Sequence, residues 1–432
     1  MARENPSAPP GVQRQVVAPP GFLLQTVSHN HLAAFYSTES PTQPESQPKV
    51  QSLIQKIKEK YIYGVDNFSI LAGDDGMAIA KQVGVILNKK IPGNIEPFAN
   101  GEKHVVIDPE VANTKDVYII QSVNTNPNSS LRELKHLELA AKSAGANRIT
   151  TIYTLLPYAR QDRIEQPGAA DAARNVLQEI LDAGSHNYRK RRHQSKLKAD
   201  TNIIVIENHS EGPLKIVEKD SHLNWLNLDT LPILRPRIEQ LIKERNLNVF
   251  IGYPDKGAAK RYDNYVTTFT PGIEPAMCNK IRDIHQNNKT RIDGMLGNVE
   301  GILGKDVLMP DDMIDTGGTT LDAAREYKNH GARSVWVVAT HGILSKDALT
   351  KMNDHAIDGV IITDTVPPRP EVLAHPKIEI VPIAPLIAET IRRIEERLPL
   401  GELVKTKSKN FEASYRKWRK INKYRRRKAR NI

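Results

Sequence analysis

The sequence lacks several features, and each absence excludes a class of protein. Its 432 residues include one cysteine, Cys278, which excludes an intramolecular disulfide framework and indicates a reducing compartment. No run of about 18 apolar residues occurs, so the sequence predicts no membrane span. The amino terminus lacks a charged segment followed by an apolar one, which argues against a secretory signal. We therefore predict a cytoplasmic protein.

Aromatic residues are also scarce, and the net charge is confined to one end of the chain. Aromatic side chains make up 5% of the chain, so the core has to be built from Ile, Leu, Val and Ala. The formal net charge is +11, but residues 405–432 alone hold thirteen lysines and arginines and one glutamate. The remainder of the chain is nearly neutral, which argues against a folded part that coats nucleic acid.

Three segments differ in composition from the rest. Residues 1–55 form a Pro-, Ser- and Gln-rich leader that we predict to be disordered. The insertion 186–199 contains RKRRHQSKLK and is predicted to be an exposed loop. The basic tail, 399–432, interleaves aromatic residues with cations. This pattern predicts binding to RNA or an anionic membrane, and the alternative is a solvated extension that binds polyanions nonspecifically.

Between the leader and the tail, short β-branched runs alternate with helix-like stretches. The predicted strands are 117–120, 149–156, 202–207, 249–253, 307–309, 335–340, 359–364 and 378–383. Helices are predicted at 130–145 and 319–331. Continuous apolar strands between amphipathic helices are typical of parallel sheets covered on both faces.

Two segments share one layout and suggest an internal duplication. In 140–158 and in 325–343, a helix ends near Gly-Ala, a basic residue follows, and a β-branched strand begins. Gly145 and Gly331 lie where a helix C-terminus favours positive φ. The alternative is that many helix–strand connections look alike. We predict an α/β protein with two similar doubly wound parallel-sheet domains. Their predicted bounds are 56–206 and 207–398.

The most informative string is VLMPDDMIDTGGTT, residues 307–320. Its strand delivers Asp311 and Asp312 to the carboxyl edge of a sheet, where open α/β sheets bind ligands. The glycines let backbone N–H groups approach an anion, and a helix beginning near Thr319 aims its positive end there. Carboxylates accept hydrogen bonds from a diol, so the loop predicts a sugar phosphate. The alternative is an ordinary strand–turn–helix connection with an aspartate cap.

This loop resembles the phosphoribosyl-diphosphate loop of the type I phosphoribosyltransferase fold. Residues 66–395 as a whole resemble the ribose-phosphate pyrophosphokinase family, the phosphoribosyl diphosphate synthetases. The matching strings besides the loop are PFANGE, DVYIIQS, LPYARQDR, ENHS, YPDKGAAKR, NKIR, THGILS and APLIAETIRRI. No G-x-x-x-x-G-K-[ST] string occurs, which agrees with this family because its members hold ATP without a Walker loop.

The resemblance implies that the protein transfers the diphosphoryl group of ATP to the C1 hydroxyl of ribose 5-phosphate. The products would be 5-phosphoribosyl 1-diphosphate and AMP, which feed nucleotide synthesis. It also implies Mg²⁺ as cofactor and a homo-oligomer, a hexamer by the family pattern. The ATP-binding residues it implies are Phe98, Asn100, Glu102, Arg160, Gln161, Asp162 and His209. By themselves, such residues would be read as surface polar groups and a buried ring.

The remaining site residues also follow from the resemblance. The ribose 5-phosphate residues it implies are Asp255, Asp311, Asp312, Asp315, Thr316, Gly317, Gly318 and Thr319. Lys280 and Arg282 match the catalytic loop, and His209 joins them as a catalytic residue. Phosphoryl-type transfer depends on positioning and charge neutralisation, which suits two cations and a magnesium ion. Taken alone, Lys280 and Arg282 would be read as solvated charges.

Three departures from the family pattern favour a second hypothesis. Glu207 stands where the family has an aspartate, and with His209 it is the predicted metal ligand set. Ala258 replaces a glycine, and residues 164–174 are unmatched. These changes would suit a catalytically silent homologue that assembles with true synthetases. The retained Lys280 and DTGGT string argue for an active enzyme.

Overall fold

The computed structural model describes nine ranges of the chain: 67–93, 95–122, 126–159, 161, 168, 170–185, 201–209, 223–283 and 289–404. The predicted leader, the insertion 186–199 and residues 405–432 of the tail lie outside them. The predictions for these segments stay predictions. No helix within the described ranges combines the length and apolar character needed to cross a bilayer.

The first half of the described chain is built around a parallel sheet. In chain order its strands and those of a small hairpin are β1 (Phe68–Ala72), β2 (Ile95–Pro97), β3 (Lys103–Val105), β4 (Asp116–Gln121), β5 (Arg148–Tyr153), β6 (Thr201–Ile206) and β7 (Leu223–Leu228). The sheet order is β1-β4-β5-β6-β7, and every neighbouring pair is parallel. Strands β2 and β3 form a separate antiparallel hairpin. The accompanying helices are α1 (Met77–Leu87), α2 (Pro109–Ala112), α3 (Pro127–Ser143) and α4 (Ala172–Ser185).

The second half forms a larger sheet. Its strands are β8 (Val249–Tyr253), β9 (Ala276–Asp283), β10 (Lys289–Gly297), β11 (Asp306–Ile314), β12 (Ser334–Gly342), β13 (Gly359–Thr363) and β14 (Ile378–Val381). The sheet order is β10-β9-β8-β11-β12-β13-β14, and it is parallel except for the pair β9–β10. Its helices are α5 (Leu231–Arg245), α6 (Lys256–Arg261), α7 (Asp263–Phe269), α8 (Gly318–Asn329), α9 (Ala348–Met352), α10 (Pro370–Leu373) and α11 (Ala384–Glu396).

The two halves are joined by a shared core. Helix α11, although it follows the last strand of the second sheet, packs against α1 of the first half and against α5. Its Glu395 is buried and accepts hydrogen bonds from Tyr118 and Arg148 of the first sheet, both at 2.7 Å. The largest apolar cluster in the described ranges accordingly contains residues of both sheets, including Ile70 of β1 and Ile251 of β8. Buried polar and apolar contacts therefore hold the two sheets against each other.

The helix endings follow the sequence signals. Gly145 after α3 and Gly331 after α8 have φ of +91° and +84°, the left-handed conformation that the duplicated layout predicts. The two sheets and their covering helices confirm the predicted α/β class.

Strand β7 was not predicted, and it lies beyond the predicted boundary at residue 207. It pairs with β6 from Leu223 to Leu228 and so extends the first sheet. Its sequence LNWLNL contains no β-branched residue, and asparagines interrupt the apolar ones. A search for β-branched runs therefore does not find this strand. The exact domain bounds stay a prediction, but this strand belongs with the first sheet.

Glu138 of α3 gives a test of the packing in the first half. The side chain is buried and accepts a hydrogen bond from Thr151 at 2.6 Å. Burial raises its pKa from 4.5 to about 7. The folded state therefore holds its proton between these two values, whereas the unfolded chain loses it. The contribution of Glu138 to the free energy of unfolding is therefore largest below about pH 4.5 and falls as pH rises towards 7.

We expect Glu138→Gln to lose this pH dependence. Relative to the variant, the wild type should lose roughly 3 kcal/mol of unfolding free energy across that window. Urea unfolding of both proteins at several pH values measures the difference, in which other titrating groups cancel. Parallel stability curves would show that Glu138 ionises normally in the folded protein.

Candidate active site

Strand β11 carries the adjacent acids Asp311 and Asp312 at its carboxyl end. The strand pairs with β12 in continuous register through Pro310 to Ile314, whereas its pairing with β8 ends at Leu308. Pro310 has no N–H to donate, which agrees with a strand that is paired on one side beyond this point. The open side leaves room beside the acids.

Asp312 is 2% exposed and is bound by side chains from two distant segments. One of its oxygens accepts from Arg261, at the end of α6, at 3.1 Å, and the same guanidinium lies 3.5 Å from Asp311. The other oxygen is hydrogen-bonded to the Nδ1 atom of His209, which follows β6 in the first half of the chain. The site thus joins both sheets.

The two acids are driven to different protonation states. Burial opposes the charge of Asp312, but the hydrogen bond of His209 and the charge of Arg261 outweigh burial and lower its pKa. Burial and the neighbouring Asp312 charge raise the pKa of Asp311 well above its usual range. A single proton is therefore held most easily on Asp311, while Asp312 stays ionised.

The glycine loop after β11 opens directly into α8. Gly317 has φ of +71°, and the helix begins at Gly318. The loop is held from outside because Ser345 donates to the Asp315 carboxylate, and Lys351 donates to the Thr316 carbonyl at 2.8 Å. The free N–H groups of a first helical turn, with the dipole behind them, form an anion cup.

Asp255 and Lys280 form an ion pair at the start of α6, near Arg261. Asp255 caps α6 by accepting from the Ala258 N–H at 2.9 Å, and its other oxygen pairs with Lys280 at 2.8 Å. Burial disfavours the carboxylate charge, but the hydrogen bond and charge of Lys280 outweigh it and lower the pKa of Asp255. Lys280 lies on β9 where this strand pairs with β10, so it projects on a two-stranded arm. The backbone of Arg282 continues the same strand.

Glu207, which was predicted to be a metal ligand, has a buried carboxylate that is already bound by protein donors. It is 2% exposed, and its carboxylate accepts from the Tyr262 hydroxyl at 3.0 Å and from the Thr230 N–H at 3.4 Å. Its backbone has φ of +45°, which is strained for a residue with a side chain. No group of three or more His, Cys, Asp or Glu side chains in the described ranges could hold a metal ion.

The predicted ATP residues Phe98, Asn100 and Glu102 lie together at the tip of the β2–β3 hairpin. Gly101, with φ of +86°, makes the turn, and Asn100 accepts from the Glu102 N–H at 3.1 Å. Phe98 is 53% exposed, and one face of its ring stacks on His104 with centroids 5.1 Å apart. The other face is a platform for a second planar group.

Of the three predicted ATP residues Arg160, Gln161 and Asp162, the structure describes Gln161. Gln161 is exposed. Arg160 and Asp162 lie outside the described residues, so their roles stay predictions.

Known proteins resemble this chain along most of its length. Residues 68–184 match the N-terminal domain of ribose phosphate pyrophosphokinase, and residues 270–405 match the phosphoribosyl synthetase-associated domain. The ribose-phosphate pyrophosphokinase of Helicobacter hepaticus is 32% identical over 73% of this chain and 91% of its own length. That of Ralstonia nicotianae is 31% identical over 73% and 90%.

This chain belongs to the ribose-phosphate pyrophosphokinase family. The crystal structure of phosphoribosylpyrophosphate synthetase from Mycobacterium smegmatis agrees, with a TM-score of 0.64, 27% identity, and coverage of 77% of this chain and all of that one. The family predicted from the sequence motifs is therefore confirmed, as are the fold class and the assignment as a diphosphokinase. The roles of individual residues stay predictions.

The structure adds three residues to those that the sequence predicted for this family member. Arg261 contacts both acids, Tyr262 donates to Glu207, and His341 of β12 contacts the Glu207 carbonyl. Arg261 lies in the matching string YPDKGAAKR, six residues after Asp255, where a short helix returns it to the same edge. Nothing in the sequence pairs His341 with Glu207, because they are 134 residues apart.

Removing the charge of Arg261 should destabilise the acid pair in a pH-dependent manner. We expect Arg261→Gln to lose roughly 2 kcal/mol of unfolding free energy at about pH 8, because two enclosed carboxylates lose a cation. The loss should be smaller at about pH 5. There the folded variant takes up a proton on Asp311, whose pKa is raised, more readily than the unfolded chain does, and the repulsion between the two acids falls.

Arg325→Gln is the matched control, because Arg325 is 50% exposed and pairs with Asp354 on the surface. Its loss should stay below about 1 kcal/mol at either pH. Urea unfolding measures both variants. Equal losses for the two arginines would contradict the inferred role of Arg261.

Proposed function

We propose that this chain transfers the β,γ-diphosphoryl group of ATP to the C1 hydroxyl of ribose 5-phosphate, with release of AMP. The observation that carries the proposal is the arrangement at the end of β11. There, a carboxylate pair at the strand end is followed directly by the N-terminal turn of α8, and Asp255, which pairs with Lys280, lies near Arg261. The similarity to named ribose-phosphate pyrophosphokinases supports the same reaction.

The acid pair and the helix terminus suit opposite ends of one sugar phosphate. Asp311 and Asp312 are proposed to accept hydrogen bonds from the ribose diol, while Arg261 and His209 hold the Asp312 carboxylate in place. The 5-phosphate takes the cup made by Asp315, Thr316, Gly317, Gly318 and Thr319. A Cβ built on Gly318 meets no atom within 4 Å, so the open space in front of the helix is available to an anion.

The cations on the β9–β10 arm would neutralise the transferring group. Lys280 is paired with Asp255 in the structure. The diphosphoryl group carries more negative charge than a single carboxylate, so it draws the ammonium group from Asp255 during transfer. Arg282, two residues further along the same strand, is proposed to act with it. The loop containing Asp255 then holds the ribose and the diphosphate.

ATP is proposed to bind with its adenine on the free face of Phe98, beside Asn100 and Glu102. In the family pattern this hairpin serves the active site of a neighbouring subunit, so the chain acts as a homo-oligomer, a hexamer. Arg160, Gln161 and Asp162 are proposed to contact the same nucleotide. The basic tail is proposed to bind polyanions nonspecifically.

Magnesium is the proposed cofactor, and the placed residues fit an ion held chiefly by the phosphates of ATP. Mg²⁺ keeps several waters and commonly takes only one or two protein ligands beside substrate phosphates. His209 lies at the site edge and is 31% exposed at its side chain. Glu207 fits less well, since its carboxylate is bound by Tyr262 and Thr230. Bound magnesium would neutralise charge on the phosphates.

The proposal is tested by incubating the purified full-length protein with ATP, Mg²⁺ and ribose 5-phosphate. AMP and 5-phosphoribosyl 1-diphosphate should form in equal amounts, and Lys280→Ala should lower the rate on the order of 10³-fold. Lys305→Ala is the control, because Lys305 binds Asn248 at the amino end of β11, away from the acids. A wild-type protein that forms no AMP would instead be the catalytically silent homologue.

The phosphate cup is tested by adding one methyl group. Gly318→Ala places a Cβ in open space, so folding should be unaffected or slightly stabilised. The methyl group should obstruct the phosphate and raise the KM for ribose 5-phosphate by about tenfold or more. Gly401→Ala, which also meets open space, should change neither quantity. An unchanged KM in Gly318→Ala would place the 5-phosphate elsewhere.

A further inference from the structure

We propose that His341 is a positioning residue that holds His209 against Asp312, across the boundary between the two sheets. The inference rests on the proposed function, because it assigns His341 an indirect part in that same site. His341 is 1% exposed and contacts neither the acid pair nor the glycine cup in the described hydrogen bonds. Its effect on the reaction is therefore exerted through another residue.

The imidazole of His341 connects elements of both halves. His341 lies at the carboxyl end of β12 in the second sheet, where it pairs with Met313 of β11. Its Nε2 atom is 3.2 Å from the Glu207 carbonyl oxygen, just after β6 of the first sheet. Its Nδ1 atom is 2.9 Å from the hydroxyl oxygen of Thr365. The ring thus spans from one sheet to the other.

The partners fix the protons on the ring. A carbonyl oxygen only accepts, so Nε2 carries the hydrogen and donates to Glu207. Nδ1 is then the acceptor in a neutral ring. The one hydroxyl hydrogen of Thr365 can reach either Nδ1, at 2.9 Å, or the Thr340 carbonyl, at 3.1 Å, and this carbonyl already accepts from Thr363 at 2.6 Å. Donation to Nδ1 therefore leaves no acceptor without a donor. A neutral ring in this one tautomer satisfies both contacts.

The contact with Glu207 matters because this residue turns the chain towards the acids. Glu207 adopts φ of +45°, a conformation that persists only when its surroundings enforce it. Its contacts include the Glu207 N–H, which donates to the Leu228 carbonyl at 3.1 Å, Tyr262 and Thr230, which bind the side chain, and His341, which binds the carbonyl. His209, two residues on, then reaches Asp312.

Two substitutions of His341 separate the roles of its nitrogen atoms. In His341→Gln the side-chain amide can place an N–H where Nε2 lies, and the contact with Glu207 is kept. In His341→Asn the amide can reach only the Nδ1 position, so Thr365 keeps a partner and Glu207 loses its donor. We expect kcat to fall by about 30- to 100-fold in His341→Asn and by less than about fivefold in His341→Gln.

His375→Asn is a matched control. His375 is also buried, at 9% exposure, with Nε2 at 3.3 Å from the Leu349 carbonyl and Nδ1 accepting from the Lys377 N–H. Its replacement removes the same kind of contact without altering a partner of Glu207, His209 or the acid pair. Thermal stability should fall comparably in His375→Asn and His341→Asn, but kcat should stay at the wild-type value in the control.

A second measurement does not need turnover. With ¹⁵N-labelled histidine, the ring signals of His209, assigned with His209→Gln, report its hydrogen bond to Asp312. These signals should shift or broaden in His341→Asn and stay in place in His341→Gln and His375→Asn. Unchanged His209 signals in His341→Asn, or equal changes in the Asn and Gln variants, would overturn the inference. A wild type that forms no AMP would overturn the proposed reaction, while the spectra still decide the role of His341.

Discussion

Two adjacent carboxylates at the end of β11 are the constraint around which this structure is organised. Enclosing acids side by side is unfavourable unless cations and donors surround them. Asp312 obtains Arg261 from α6 and His209 from the loop after β6, so the two halves of the chain must meet at this strand end. The charge of the acid pair thus links the fold to the chemistry.

The joint between the sheets is built from buried polar contacts as well as apolar packing. Glu395 accepts from Tyr118 and Arg148, and Thr365 accepts at its carbonyl from Ser122 and Thr154. Such contacts are directional, so they fix one relative placement of the sheets more narrowly than apolar packing alone. A site assembled from both sheets needs that fixed placement.

The elements with strong local signals were predictable from the sequence. The strand and glycine turn of β11–α8 were found because β-branched residues, paired acids and glycines follow one another without interruption. The arm β9–β10 was missed because charged and amide residues interrupt the apolar ones in AMCNKIRD and KTRIDGMLG, and β7 was missed because asparagines interrupt its leucines. Glu207 matched a motif, but its buried carboxylate accepts a hydrogen bond from Tyr262, which is 55 residues further along the chain.

By itself, the sequence determined the family, the α/β class and the local form of the sugar-phosphate loop, since each depends on residues close together in the chain. Only the tertiary structure decided which cations meet the acids, which of the two acids holds a proton, and that His341 spans the sheets. These outcomes depend on burial and on contacts between distant segments. Neither burial nor a contact between distant segments can be read from a short stretch of residues.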